Sequence, residues 1–215
     1  MQYSDIGTTS RKLSLISGHA RRDRGFQFTS LAHLLDVEVL RDCYESFNRN
    51  TAVGIDGVSW KECGEDLTEN LDRLVQKLKL KSYKPKPARR VYIPKNETET
   101  RPLGISAREN KIVERGLTWI LESIYEQDYL NSSYGFRRGR SAHQALKQIN
   151  DPLMFQPVNY IVEADIKGFF DKVSQEHLME FVRIRIRDMT LLNLIKKYLK
   201  AGYADAGLLV TSDEG

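Results

Sequence analysis

Ile161-Val162-Glu163-Ala164-Asp165-Ile166-Lys167-Gly168-Phe169-Phe170-Asp171 is the stretch on which the fold reading turns. Its first half reads as an apolar strand carrying one carboxylate, Asp165, to its end. A small residue and two aromatic rings follow at once. A carboxylate on a rigid strand end supplies one fixed oxygen ligand for a divalent metal, and the Ile166 carbonyl supplies a second. An Asp in such a place more often only caps the next turn. Phe169 and Phe170 point different ways along an extended backbone. Core packing accounts best for one of them; a ring beside a bound sugar would exclude a 2′-hydroxyl by size.

A second stretch upstream has matching chemistry. Arg89-Arg90-Val91-Tyr92-Ile93-Pro94 alternates as a strand, Asn96 to Thr100 is a polar turn, and Arg101-Pro102-Leu103-Gly104-Ile105 reads as the returning strand. Lys95 and Arg101 flank the tip of this hairpin. A lysine point charge and an arginine fork suit the phosphates of a nucleotide, although solubilising charge on an exposed turn is common. Alternation sends Arg89 and Arg90 to opposite sides, one toward RNA and one into packing. Ser133-Tyr134-Gly135-Phe136-Arg137-Arg138-Gly139-Arg140-Ser141 interleaves aromatics, glycines and arginines. Rings of this kind stack bases, and Arg137, Arg138 and Arg140 are placed to hold phosphates.

The bulk numbers permit such a reading without demanding it. With 215 residues and 40% apolar content, the chain can bury a core in one domain or two small ones. The net charge is only +4, but it is unevenly spread. Arg73 to Arg101 holds ten Lys/Arg against two Glu. Clusters of that kind fit a polyanion, whose counterions they release. Cys43 and Cys63 lack metal-ligand spacing and fall on apolar stripes, so they read as buried free thiols. The four histidines show no ligand spacing. There is no apolar signal core and no long apolar run, so a cytoplasmic protein without membrane contact is expected.

Helices outnumber strands along the chain, which gives an α+β class. Residues 1–28 read as a basic arm, flexible or ordered only by RNA. Helices are expected from Ser30 to Phe47, from the Ser59–Glu62 capping box to Leu78, after a Ser106–Glu109 box, after Ser141, from Ser174, and from Asp188 to Leu199. Pro152 and Pro157 bracket a linker. Tyr203-Ala204-Asp205-Ala206 reads as a turn, and Leu208 to Thr211 as a short strand. The expected domains are the arm (1–28), a unit over 29–150 containing the hairpin, and a second unit over 151–215 with a small antiparallel sheet.

Five stretches, in order, resemble the N-terminal part of bacterial group II intron reverse transcriptases, also called maturases. They are Ala52 to Val58, Tyr92 to Lys95, Arg101 to Ile105, Ser133 to His143, and Ala164 to Asp171. The resemblance covers roughly residues 30–215. It implies fingers followed by the start of a polymerase palm. It makes Asp165 the first catalytic ligand of a two-Mg²⁺ site, Phe170 the ribose-excluding ring, and Lys95 and Arg101 the contacts to the incoming dNTP. It implies as partners intron RNA and an RNA template with DNA primer, and leaves a homodimer open. Departures are Ser106 and Arg138, where the family usually has Pro, and a hairpin turn without Gly. Tyr203 to Ala206 only imitates the family's Tyr-x-Asp-Asp motif. That motif is absent, so this chain alone is expected to be inactive. The competing expectations are an RNA-binding module without catalysis and a related bacterial reverse transcriptase of defence or diversity-generating systems.

Overall fold

Caps written in the sequence set most helix starts in the computed structural model, which describes residues 7–211 and Glu214. The helices are α1 (Gly7–Arg22), α2 (Val37–Glu45), α3 (Trp60–Glu65), α4 (Leu67–Lys79), α5 (Arg108–Tyr125), α6 (Ala142–Phe155), α7 (Gln175–Arg185) and α8 (Met189–Leu199). The strands are β1 (Ala88–Pro94), β2 (Thr100–Ile105), β3 (Tyr203–Asp205) and β4 (Leu208–Val210). The α+β class expected from the pattern is the one found.

Ser59 and Glu62 close their capping box in both directions, at 3.2 and 2.7 Å. Ser141 and Gln144 form another at the start of α6. Two expected single helices are broken by aspartates. Asp36 accepts from the Val39 N–H and starts α2 anew after a short 3₁₀ turn at Ala32–Leu34. Asp66 leaves helical geometry and separates α3 from α4. The Ser106 capping box does not form. The N-cap is Ala107, without a side-chain cap bond, and the Ser106 hydroxyl bonds Glu114 instead. Burial pushes the Glu114 carboxyl up, and that bond offsets part of the rise.

α5 is the centre of the core. Its Val113, Ile120 and Ile124 are fully buried, and it packs against α1 and α2. The arm expected over 1–28 is therefore corrected in part: Gly7–Arg22 is helix, with Leu13, Ile16 and Ala20 buried. Its apolar stripe is thin and interrupted by serine, threonine and glycine, so composition hid it. Burying Leu13 and Ile16 still contributes about 1.5–3 kcal/mol each. Residues 1–6 of the expected arm lie outside the described residues. Cys43 and Cys63 are buried free thiols, as expected.

The sheet runs β2-β1-β3-β4. β1 pairs antiparallel with β2 and parallel with β3, and β3 pairs antiparallel with β4. It is thus mixed rather than antiparallel. The turn expected at Tyr203–Ala206 is strand β3 up to Asp205. The reversal is the pair Ala206-Gly207, both at positive φ (47° and 85°), as a tight two-residue hairpin turn requires.

The strand expected to end at Asp165 is absent. Residues 157–166 are irregular and exposed, with Val162 90% exposed. No described strand pairs with them. A strand needs a hydrogen-bonding neighbour as well as apolar side chains, and periodicity cannot show one. The linker expected from Pro152 is helix as far as Phe155. Pro152 lies in the last turn of α6, a helix with no buried residue, so the chain can accommodate the ring without repacking a core. Among the described residues no helix is long and apolar enough to cross a membrane.

Two polar clusters fix the approach to the hairpin and to α8. Tyr83 donates to Asn110 Oδ1 at 2.9 Å, and the Asn110 amide donates to the Lys86 carbonyl at 2.7 Å. Asp188 accepts from the N–H groups of Leu31 (2.6 Å), Ala32 (2.8 Å), Thr190 (2.8 Å) and Leu191 (3.2 Å). Gly54 has no room for a side chain: an added Cβ would lie 2.5 Å from Ala107 Cα and 2.8 Å from the Ser106 carbonyl oxygen. Gly54→Ala is therefore expected to destabilise by about 1–3 kcal/mol through overpacking against backbone, read as a lower denaturation midpoint at unchanged m-value.

Candidate nucleotide and nucleic-acid site

The hairpin places its cations as the register predicts. Arg101 stands across from Ile93, and Lys95 follows the last paired residue of β1. The Lys95 N–H bonds the Glu99 carbonyl at 2.8 Å, which closes the turn. The Lys95 ammonium pairs with Glu99 at 2.6 Å, with both side chains about half exposed. Such a surface pair contributes typically less than about 1 kcal/mol, so a phosphate can displace the carboxylate cheaply. Arg101 is exposed. Asparagine substitutes for the missing glycine in the turn: Asn96 Oδ1 accepts from the Thr98 and Glu99 N–H groups.

At the hairpin base both arginines are engaged. The Arg89 guanidinium donates twice to the Val53 carbonyl, at 2.8 and 3.2 Å. Arg90 lies over the Tyr203 ring at 3.5 Å, and its Nε is buried without a hydrogen-bond partner. Tyr92 on the same strand donates to Asp205 at 2.5 Å. Asp205, the acid of the imitation motif, thus braces the hairpin.

Asp165 and Ile166 lie in the exposed irregular segment, and Gly168 turns the chain at φ 65° just after them. Phe170 opens a 3₁₀ turn, Phe170–Lys172. Phe169 and Phe170 meet edge to face at 5.5 Å, and both are exposed, so neither is a core residue. No hydrogen bond or ion pair joins Asp165 to Lys95 or Arg101 among the described residues. No group of three or more His, Cys, Asp or Glu among those residues could hold a metal ion. Asp165 with the Ile166 carbonyl is a partial ligand set, which does not amount to a divalent-metal site on its own.

In the Ser133–Ser141 loop the three arginines differ. Arg137 is nearly buried and forks onto Glu126 at 2.6 to 3.2 Å. It also donates to the Leu130 and Ser133 carbonyls, and so organises the loop. The bond to Glu126 holds the Arg137 guanidinium above its usual range. Arg138 pairs with Glu122 at 3.5 Å, and Arg140 lies over Tyr134 at 5.3 Å. Phe136 is fully exposed at φ 57°.

Sequence reasoning missed Arg108. It is buried, donates to Thr51 Oγ1 at 2.5 Å, to the Thr51 carbonyl at 2.6 Å and to the Val58 carbonyl at 3.1 Å, and packs over Trp60. Lys111, the next cation on that face, donates to the Ala52 carbonyl. Burial, with Arg108 and Arg89 nearby, pushes its ammonium below the usual lysine range. These side chains hold the Ala52–Val58 loop against the start of α5. A buried arginine one residue past an N-cap carries no periodicity signal that could have revealed this.

No family model matches the chain. Curated relatives do. Protein YkfC of Escherichia coli is 39% identical over 165 residues, 75% of this chain and 43% of its own length. The group II intron-encoded protein LtrA of Lactococcus lactis is 35% identical over 195 residues, 90% of this chain and 32% of its own. An uncharacterised protein of the cob intron of Schizosaccharomyces pombe is 32% identical over 79% of this chain. The chain spans less than half the length of these relatives. The match to LtrA takes in the hairpin, the arginine loop and the Asp165 segment alike, because it leaves only a tenth of the chain uncovered. Over nine tenths of its length the chain is thus similar to a group II intron-encoded protein.

Proposed function

We propose that the whole protein is an RNA-directed DNA polymerase that binds a group II intron RNA and assists its splicing and retrohoming. The observation that carries this is an exposed hairpin tip with Lys95 and Arg101, in a chain whose relatives are group II intron-encoded proteins. On this reading Lys95 exchanges its Glu99 carboxylate for a triphosphate oxygen, and the Arg101 fork takes a second. Phe170 closes the space beside the sugar and rejects a ribose 2′-hydroxyl. Arg138 and Arg140 meet RNA phosphates, while Arg89, Arg90 and Arg137 shape the surfaces that do so. Asp165 and the Ile166 carbonyl contribute oxygens toward Mg²⁺, with the remaining carboxylates coming from outside the described residues. Bound Mg²⁺ would neutralise charge on the phosphates.

Primer extension with the intact protein tests the hairpin. Arg101→Ala and Lys95→Ala are each expected to raise the KM for dNTP about tenfold, the loss of one charge-assisted bond, with kcat little changed. An unaltered KM in both variants removes the hairpin from nucleotide binding. RNA affinity is expected to fall steeply as salt rises, because phosphate contacts release counterions.

A further inference from the structure

Between the C-terminal end of α4 and the length of α8, with Ala32 and His33 at one side, opens a cleft of about 620 Å³ that neither the hairpin nor Asp165 lines. Its floor is apolar: Leu35, Leu78 and Leu194. Its rim is cationic: Lys79 and Lys81 from one side, Lys196, Lys197 and Lys200 from the other. No Asp or Glu lines it, and His33 offers an exposed imidazole face at the edge.

Lysines in the last turn of a helix also complement its dipole, and that alone could explain Lys79 and Lys196. It does not explain Lys81. Lys81 lies beyond α4 at φ 58°, in a Schellman turn closed by Ser82 N–H to the Lys77 carbonyl and Lys81 N–H to the Leu78 carbonyl, both 3.0 Å. Glycine is the usual residue there, since a side chain is strained at that φ. A lysine kept at a strained position points to a use for its charge. Lys197 fixes the width of the cleft, because its ammonium donates to the Lys81 and Tyr83 carbonyls at 2.7 and 2.8 Å.

We infer that this cleft seats one unstacked nucleotide of an RNA strand, with its base on the leucine floor and its flanking phosphates on the lysine rim. The inference rests on the reading of the protein as RNA-binding. An apolar floor suits a base face, and cations on two opposed helix ends suit a phosphate chain that enters on one side and leaves on the other. The volume lies in the range of pockets that take a group of nucleotide size. Two of the ten cations in the Arg73–Arg101 stretch, Lys79 and Lys81, thereby acquire a place that the hairpin does not use.

The test is fluorescence anisotropy of the full chain with two labelled probes, an oligouridylate and an abasic ribose-phosphate oligomer of equal length. Lys79→Gln/Lys81→Gln/Lys196→Gln is expected to weaken oligouridylate binding at least tenfold. It should also flatten the salt dependence by about 0.7 in log–log slope for each lysine removed. Asn193→Trp, which fills the mouth from the exposed face of α8, should abolish the preference for oligouridylate over the abasic probe and leave the salt slope intact. Lys81→Gly should raise the melting temperature and still weaken binding, an opposition that a purely structural lysine would not produce. Wild-type affinity and slope in the triple variant, or displacement of the probe by an acidic amphipathic peptide in preference to RNA, would overturn the cleft and leave the RNA-binding reading standing. A wild-type chain that binds neither probe would overturn both.

Discussion

In the intact protein, Asp165→Asn is expected to cut cDNA synthesis about a thousandfold, while RNA affinity and melting temperature stay at their parental values. The size follows from the charge. A catalytic carboxylate supplies several kcal/mol of charge stabilisation to a bound cation, and about 4 kcal/mol corresponds to three decades in rate. The selectivity follows from the structure. Asp165 is exposed, caps no helix, and makes no hydrogen bond or ion pair among the described residues. Asparagine has its shape, so nothing in the fold depends on the difference. Primer extension, a thermal melt and an RNA titration on one preparation separate the outcomes. Parental synthesis by the variant would remove Asp165 from the chemistry. Loss of RNA binding alongside synthesis would instead make it a structural residue of the RNA surface.

Asp188→Ala is expected to have the largest effect on stability among the polar changes considered. Its carboxylate receives four backbone N–H groups, two from the Leu31–Ala32 segment and two from the first turn of α8. Alanine removes an N-cap and strands buried donors, at a cost of about 3 kcal/mol. For a chain of this size that is a fall in melting temperature of roughly 10 °C. Asp188→Asn keeps one acceptor oxygen and should recover part of the loss. The effect also has a pH signature. Burial alone would raise the carboxyl, but the four N–H groups more than offset it and the Asp188 pKa is lowered in the fold. A lowered acid stabilises above its unfolded value, near about 4, and that contribution is lost as pH falls through the folded value. The gap between parent and variant should therefore be constant near neutrality and shrink below about pH 4. A gap unchanged at low pH would mean that the hydrogen bonds do not depend on the ionised form.

The sequence disclosed what is local. Ser59 with Glu62, Ser141 and Asp188 are caps that act within three residues, and each opens a helix as read. The hairpin at Arg89–Ile105 was legible for the same reason: alternation, a polar turn and alternation again lie within one short stretch. The failures are non-local. Whether Ile161–Ala164 becomes a strand depends on a neighbour for its backbone, which its own residues do not encode. Whether Leu13 and Ile16 are buried depends on α5, about a hundred residues away. Tyr203–Asp205 looked like a turn because its partner is β1, and Ser106 looked like a cap because Glu114 competes for its hydroxyl. At the candidate site, residue types were readable and their engagements were not. Arg89 and Arg137 carry the charge expected of RNA contacts, yet backbone carbonyls and Glu126 already occupy their forks.

The parallel pairing of Ala88 and Arg89 with Tyr203 and Ala204 bears on how the molecule assembles. The hairpin itself can zip within microseconds, since its strands are neighbours in the chain. Its other edge must wait for roughly 115 residues of intervening chain to close. During synthesis the ribbon therefore emerges with one flank open, and Arg90 finds its tyrosine only after α8 has left the ribosome.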